Sequence, residues 1–364
     1  MFSILPFSDN DIHSHIIVCI SCQMKDRHKK ERDKRMAKNA SFWFKLVFLA
    51  ALLVTGCSSN GSSEKATLGE QSNQTATTAA ATTQDNTATA VAYPKTIKHL
   101  AGETVIPQKP LKIATPYIAF VDYLAVLDEY PIAAQGVATI QRNFPVLSKR
   151  LENKDIADLG MEVDLEKLLA MTPDVIIAAN DMTDQYESLS RIAPTVILPQ
   201  AGDWRETLEQ IAQVIGKEDK AKSVLADFDR KSAEYKEKLA FRSQESVMFV
   251  MYNEKDTFTT WNDGRFDPFY VGLGLKRVDG NQAQGQLSIE SLAALNPNHL
   301  FVINNWQTPI AGGVKAALKD NKVWNSLNAV KNNHVYELKD PSLPGPMALA
   351  KIQGIEDIMQ AMGQ

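Results

Sequence analysis

Glu218-Asp219-Lys220-Ala221-Lys222-Ser223-Val224-Leu225-Ala226-Asp227-Phe228-Asp229-Arg230-Lys231-Ser232-Ala233-Glu234-Tyr235-Lys236-Glu237-Lys238-Leu239 is the longest stretch of the chain with a single helical period. Ala221, Leu225, Phe228, Ser232, Tyr235 and Leu239 recur at steps of four and three, which lines one face of an uninterrupted helix. At 1.5 Å per residue such a helix extends roughly 33 Å, enough to span a lobe. Charged residues fill its other face as an ordinary solvated surface. On both sides of it, short apolar runs alternate with amphipathic ones. Leu111-Lys112-Ile113-Ala114, Ile132-Ala133-Ala134, Val175-Ile176-Ile177-Ala178-Ala179 and Val196-Ile197-Leu198 read as strands buried on both faces. Leu165 to Met171, Tyr186 to Ile192 and Trp204 to Ile215 read as the helices between them. Beyond the long helix the pattern restarts with Ser246 to Met251, Leu300 to Ile303 and His334 to Leu338. The expected fold class is α/β: two Rossmann-like lobes with mainly parallel sheets, one long connecting helix, and a ligand cleft between the lobes.

Further out, towards the N-terminus, lies Phe42-Trp43-Phe44-Lys45-Leu46-Val47-Phe48-Leu49-Ala50-Ala51-Leu52-Leu53-Val54-Thr55-Gly56-Cys57. A lysine, a short apolar run, small residues and a cysteine have the layout of an export signal with a processing site. The run is too short to cross ~30 Å of hydrocarbon, which needs about 20 apolar residues. Leu53 to Cys57 resembles the bacterial lipobox, so Cys57 is the expected lipidation site and the new N-terminus. Ser58 after the cysteine favours a single-membrane, Gram-positive-type host. The expected location is the extracytoplasmic face of the cell membrane. Translation is expected to start at Met1, Met24 or Met36, with Met36 opening an ordinary positively charged n-region. Cys19-Ile20-Ser21-Cys22 has redox or zinc spacing, but no second pair completes a site. The basic run Lys25 to Arg35 flanks the signal, and with a formal net charge of -4 on the whole chain it does not argue for nucleic-acid binding. From Ser58 to about Ala92, Ser, Thr, Ala, Gln and Asn dominate, a composition that buries too little to offset chain entropy. The expected divisions are thus a leader and signal peptide over 1–56, the lipidated cysteine and tether over 57–95, an N-terminal lobe over 96–216, the connecting helix over 217–240 and a C-terminal lobe over 241–364.

Asp158-Leu159-Gly160 before Val163-Asp164-Leu165-Glu166-Lys167-Leu168, then Met171-Thr172-Pro173-Asp174-Val175-Ile176-Ile177, forms one local pattern. Leu287-Ser288-Ile289-Glu290-Ser291-Leu292 followed by Leu295-Asn296-Pro297-Asn298-His299-Leu300-Phe301-Val302 forms its counterpart. Trp324-Asn325-Ser326-Leu327-Asn328-Ala329-Val330-Lys331 then leads into His334-Val335-Tyr336. In this order the motifs resemble the substrate-binding proteins of bacterial ABC importers, in the rigid-helix class that serves iron-siderophores and cobalamin. The resemblance spans about Thr96 to Met362. Glu166 and Glu290 hold equivalent places, each early in a short helix, where the macrodipole favours a carboxylate by about 0.3–1 kcal/mol. The resemblance implies a further role for them: docking onto arginines of the permease, the expected partner in the membrane. A lipid anchor and a monomeric state complete the expected associations, with no nucleic acid.

Ligands of open α/β sheets sit where loops leave the C-terminal ends of the strands. Residues expected there are Tyr117, Arg142, Asn180 and Tyr186 in the first lobe, and Tyr252, Trp261, Arg265 and Trp306 in the second. Trp204 and Trp324 lie inside helical patterns and are expected in the core. Aromatic residues with an arginine in each lobe suit a rounded, partly apolar chelate carrying oxygen atoms. An enzyme would need a nucleophile with a base or paired acids. The segment has only His99, His299 and His334, none placed like a catalytic base, and Gly272-Leu273-Gly274 lacks the features of a dinucleotide site. No catalytic residue is assigned, and the chain is not expected to be an enzyme, an extracellular α/β enzyme being the alternative of a different class. A direct zinc or manganese binder wants several histidines and carboxylates at the cleft. No metal ligand or cofactor is therefore assigned, and iron is expected only as a chelate, the transported ligand. Catecholate-iron complexes carry several negative charges and usually call for a Lys/Arg cluster, whereas hydroxamate and citrate-hydroxamate chelates are closer to neutral. Phe258-Thr259-Thr260-Trp261 with Arg265, and Leu189 to Val196, look most like the hydroxamate subgroup. The inserted Asn262-Asp263 departs from that subgroup and leaves the role of Arg265 open. Cobalamin, haem and ferric citrate also remain open.

Overall fold

In the computed structural model residues 93–253, 255–280, 285–338 and 340–363 are described. The leader, Cys57 and the tether lie outside the described residues. The first sheet contains β3 (Ile113–Thr115), β4 (Ala133–Ala134), β5 (Ala157–Asp158), β6 (Val175–Ala179) and β7 (Thr195–Leu198). Their order is β5-β4-β3-β6-β7, and every pairing is parallel. Successive strands step one way from β3 to β5 and the other way from β3 to β7, so the order reverses at β3. Every residue of β6 and β7 is buried, because helices cover both faces of the sheet. A hairpin precedes this sheet, β1 (Lys95–His99) and β2 (Gly102–Ile106). Ile97 and Ile106 point into the core, and the Leu100 amide donates to the Ile197 carbonyl of β7 at 3.0 Å.

The second sheet comprises β8 (Ser246–Asn253), β9 (Thr257–Thr260), β10 (Lys276–Arg277), β11 (Gly285–Ser288), β12 (His299–Asn304) and β13 (Val335–Leu338). Its order is β11-β9-β8-β12-β13, with β10 also on β8. β8, β12 and β13 are parallel, while β9 and β11 run antiparallel to their neighbours, so this sheet is mixed.

The helix Trp204–Ile215 ends at Gly216, whose φ of 69° suits a residue without Cβ. The connecting helix Glu218–Lys238 follows at once. Ala221, Leu225, Phe228 and Ser232 are buried as the spacing requires, Leu239 beyond its end is buried too, and Tyr235 is half-buried. Phe228 meets Trp204 edge-on at 5.0 Å. On the outer face Arg230 pairs with Asp227 at 2.6 Å and Lys238 with Glu234 at 2.6 Å, exposed pairs that solvent screens.

The C-terminal helix Ala348–Met362 follows the second sheet in sequence yet packs on the helix Ile118–Val126 of the first lobe and on the connecting helix. Asp122 of the first lobe accepts a hydrogen bond from the Leu349 amide at 2.8 Å, capping this helix from 227 positions away in sequence. One apolar cluster therefore runs through both lobes, holding Phe120 and Ile177 from the first, Phe249 and Phe301 from the second, and Ile355 and Ile358 from the C-terminal helix. Two smaller clusters, each confined to one sheet, fill the opposite faces.

Candidate functional site

Tyr117 follows β3, the strand at which the order of the first sheet reverses, and caps the helix Ile118–Val126. Its ring meets Phe120 edge-on at 4.9 Å, and its hydroxyl donates to the Gln200 carbonyl at 3.1 Å. Burial, with Asp181 nearby, pushes the phenol up to about 12, so the group stays a neutral hydroxyl. Across from it, Trp306 lies just beyond the end of β12 and Trp261 just beyond β9. These three residues, with Phe144, Met251, Arg265 and the 341–347 loop, line a pocket of about 260 Å³.

The walls are held by contacts that cross between the lobes. Asn143 Nδ2 donates to the Trp306 carbonyl at 2.7 Å, and the rings of Phe144 and Trp306 lie 5.6 Å apart. The Tyr123 hydroxyl donates to the Pro346 carbonyl, and the Val146 amide donates to Asp340 Oδ2 at 3.1 Å. Trp261 packs against Phe266 at 5.6 Å, and the Arg265 guanidinium sits 5.5 Å from the Trp261 ring. Arg265 donates from Nε to Asp263 at 2.8 Å and from an Nη to the Pro344 carbonyl at 3.1 Å. That pairing holds the Asp263 carboxyl below its ordinary range.

A second, larger cavity of about 840 Å³ adjoins the pocket. Arg265 and residues 344–346 line both. Its remaining wall comes from the 201–205 loop, the connecting helix at Phe228, Asp229 and Ser232, the 263–272 segment and Lys351. Lys351 is 2% exposed and donates to the Leu343 carbonyl. Burial, with the Arg265 charge next in weight, lowers its amine to about 7. Asp122, 1% exposed, is raised by burial to about 7.

Other residues expected at the cleft lie elsewhere. Arg142 is exposed on the helix Val137–Asn143 and is not part of the pocket wall, while its neighbours Asn143 and Phe144 take part in building it. Asn180 is exposed, its Oδ1 accepting from the Gln200 amide at 2.7 Å, and so shapes the loop that Tyr117 also grips. Tyr186 turns to the β1–β2 hairpin, its ring 5.4 Å from His99 and its hydroxyl 3.2 Å from Thr104 Oγ1. Tyr252 is buried in the core of the second sheet against Phe258, because alternation along β8 turns Tyr252 inward and gives the pocket Met251 instead. Trp204 and Trp324 are buried. Glu166 and Glu290 are exposed in the first turns of helices Leu165–Ala170 and Ile289–Leu295, capped by Asp164 and Ser288. His299 is fully buried between Glu245 and the Tyr336 hydroxyl and stacks on His334, with burial lowering its pKa. Among the described residues no group of three or more His, Cys, Asp or Glu is arranged to hold a metal ion, and no helix is long and apolar enough to cross a membrane.

A family model described as periplasmic binding protein matches residues 119–341. The chain is 28% identical over 333 residues to the iron-uptake system-binding protein of Bacillus subtilis (strain 168), covering 88% of this chain and 97% of that one. It is 27% identical over 256 residues to an iron(3+)-hydroxamate-binding protein of the same organism, covering 66% and 77%. Among solved structures, the triscatecholate siderophore binding protein of Bacillus subtilis complexed with ferri-bacillibactin superposes with a TM-score of 0.59 at 26% identity, over 74% of this chain and 98% of that one. These relatives are binding proteins, and their names span more than one chelate class.

Proposed function

The chain belongs to the periplasmic binding protein family, and from that premise we propose that it is the extracytoplasmic substrate-binding component of an ABC importer, capturing an iron(III)-siderophore and delivering it to a permease. The observation that carries this proposal is the pocket between the two lobes, walled by Tyr117, Phe144, Trp261 and Trp306, with Arg265 the one charged residue among its described lining residues. Such a wall offers contact area to a bulky chelate and few charges to a free metal ion. Iron arrives already chelated, no resident cofactor is needed, and the protein binds without catalysing a reaction.

Among chelates, those of low net charge, hydroxamate or citrate-hydroxamate, suit a wall in which aromatic area outweighs cationic groups. Glu166 and Glu290, exposed at the starts of equivalent helices, are the proposed contacts with permease arginines. Cys57 is the proposed attachment to the membrane, and the protein acts as a monomer.

Titration of the full-length chain with ferrichrome, ferric enterobactin, ferric citrate and cobalamin, followed by tryptophan fluorescence, tests the proposal, since Trp261 and Trp306 sit in the wall. The expected result is saturable quenching by a ferric chelate, tightest with ferrichrome. Tightest binding of cobalamin, or no response to any ferric chelate, overturns it.

A further inference from the structure

Asp263 and Arg265 are two residues apart, and their side chains close on each other. Arg265 Nε lies 2.8 Å from Oδ1 and 3.0 Å from Oδ2, while an Nη also donates to Oδ2 and the other holds the Pro344 carbonyl. Arg265 lines both cavities, but Asp263 lines only the larger one. The pair therefore commits part of the guanidinium's donor fork to the side away from the aromatic pocket. Because Arg265 is the only charged residue among the described residues of that wall, its partner governs the positive charge they offer.

Resting on the chelate-binding proposal above, we propose that Asp263 is a specificity-determining residue: by holding Arg265 in an internal ion pair it screens that cation and turns selection toward chelates of low net charge.

The environment behind the pair agrees with this assignment. Lys351, buried in the wall of the larger cavity, feels both members of the pair: the Arg265 charge lowers its pKa and the Asp263 charge raises it. Removing the Asp263 charge leaves the Arg265 guanidinium at the pocket wall without that carboxylate partner, a setting that draws anions. A bare turn-stabilising role for the pair would change the melting temperature and leave ligand choice alone.

The test compares full-length wild type, Asp263→Asn and Asp263→Asn/Arg265→Met, reading the ratio of dissociation constants for ferric enterobactin, which is strongly anionic, and ferrichrome, which is neutral. Asp263→Asn is expected to shift that ratio toward the anion by roughly tenfold, and the added Arg265→Met to remove the shift. A ratio within about threefold of wild type in a folded Asp263→Asn protein overturns the proposal. Asp263→Ser serves if the Asn variant does not fold. A ligand-free arm follows phenylglyoxal modification of Arg265 by peptide mass spectrometry. Faster modification in Asp263→Asn supports screening, and an equal rate overturns it. Absence of any chelate binding by wild type sinks the chelate proposal by itself, whereas the modification rate bears on Asp263 alone.

Discussion

Trp306 is fixed before any ligand arrives, its carbonyl held by Asn143 and its ring packed on Phe144. A preset aromatic wall loses little entropy on binding, so Trp306→Ala should weaken ferric-chelate binding by about 2 kcal/mol, roughly thirtyfold, measured by titration. Lys351 gives a pH prediction. Its folded pKa of about 7 lies below its ordinary 10.5, so the unfolded chain holds the proton more tightly between these values. Stability from this group is present above 10.5 and is lost as pH falls towards 7. The difference in melting temperature between wild type and Lys351→Met should therefore move in favour of wild type as pH rises from 7 to 10.5, and a difference constant across that window would contradict the assignment. At this scale Tyr117 and Trp306 were legible because each lies two residues beyond a strand that reads clearly, whereas Trp261 was picked out by the Phe258 to Trp261 run with Arg265 close by. Tyr252 was not, since strand ends set by pattern alone are uncertain by a residue or two and one residue reverses the face. Tyr186 turns on a hairpin that only the folded chain brings beside it.

The C-terminal helix depends on a group from the other lobe. With no side-chain cap of its own, its Leu349 amide is met by Asp122. Asp122→Ala leaves that buried donor without its partner and should cost about 1–3 kcal/mol, read from urea unfolding at constant pH. The long connecting helix and the helix Trp204–Ile215 could be located from sequence because each carries a continuous apolar stripe. β5 and β10, two residues each, carry no periodic signal and exist only through pairing with β4 and β8. The antiparallel β9 and β11 escaped for a related reason, since strand direction is a property of the pair.

At the scale of the molecule, Glu166 and Glu290, the proposed docking residues, are exposed on helix starts, outside the residues that line the pocket. Replacing both with Ala should abolish uptake in cells while leaving chelate affinity within about a factor of three, roughly 0.6 kcal/mol. Loss of affinity in the folded double variant would move these carboxylates into ligand binding. The apolar cluster that runs through both lobes has a thermodynamic consequence. Halves that share a core cannot melt apart, so calorimetry on the full-length chain should show the two sheets in a single endotherm with matching calorimetric and van't Hoff enthalpies. The same sharing governs recombination. A chimera that takes its second sheet from a relative must keep the C-terminal helix with its native first lobe, because Asp122 and the helix Ile118–Val126 would otherwise face a foreign surface.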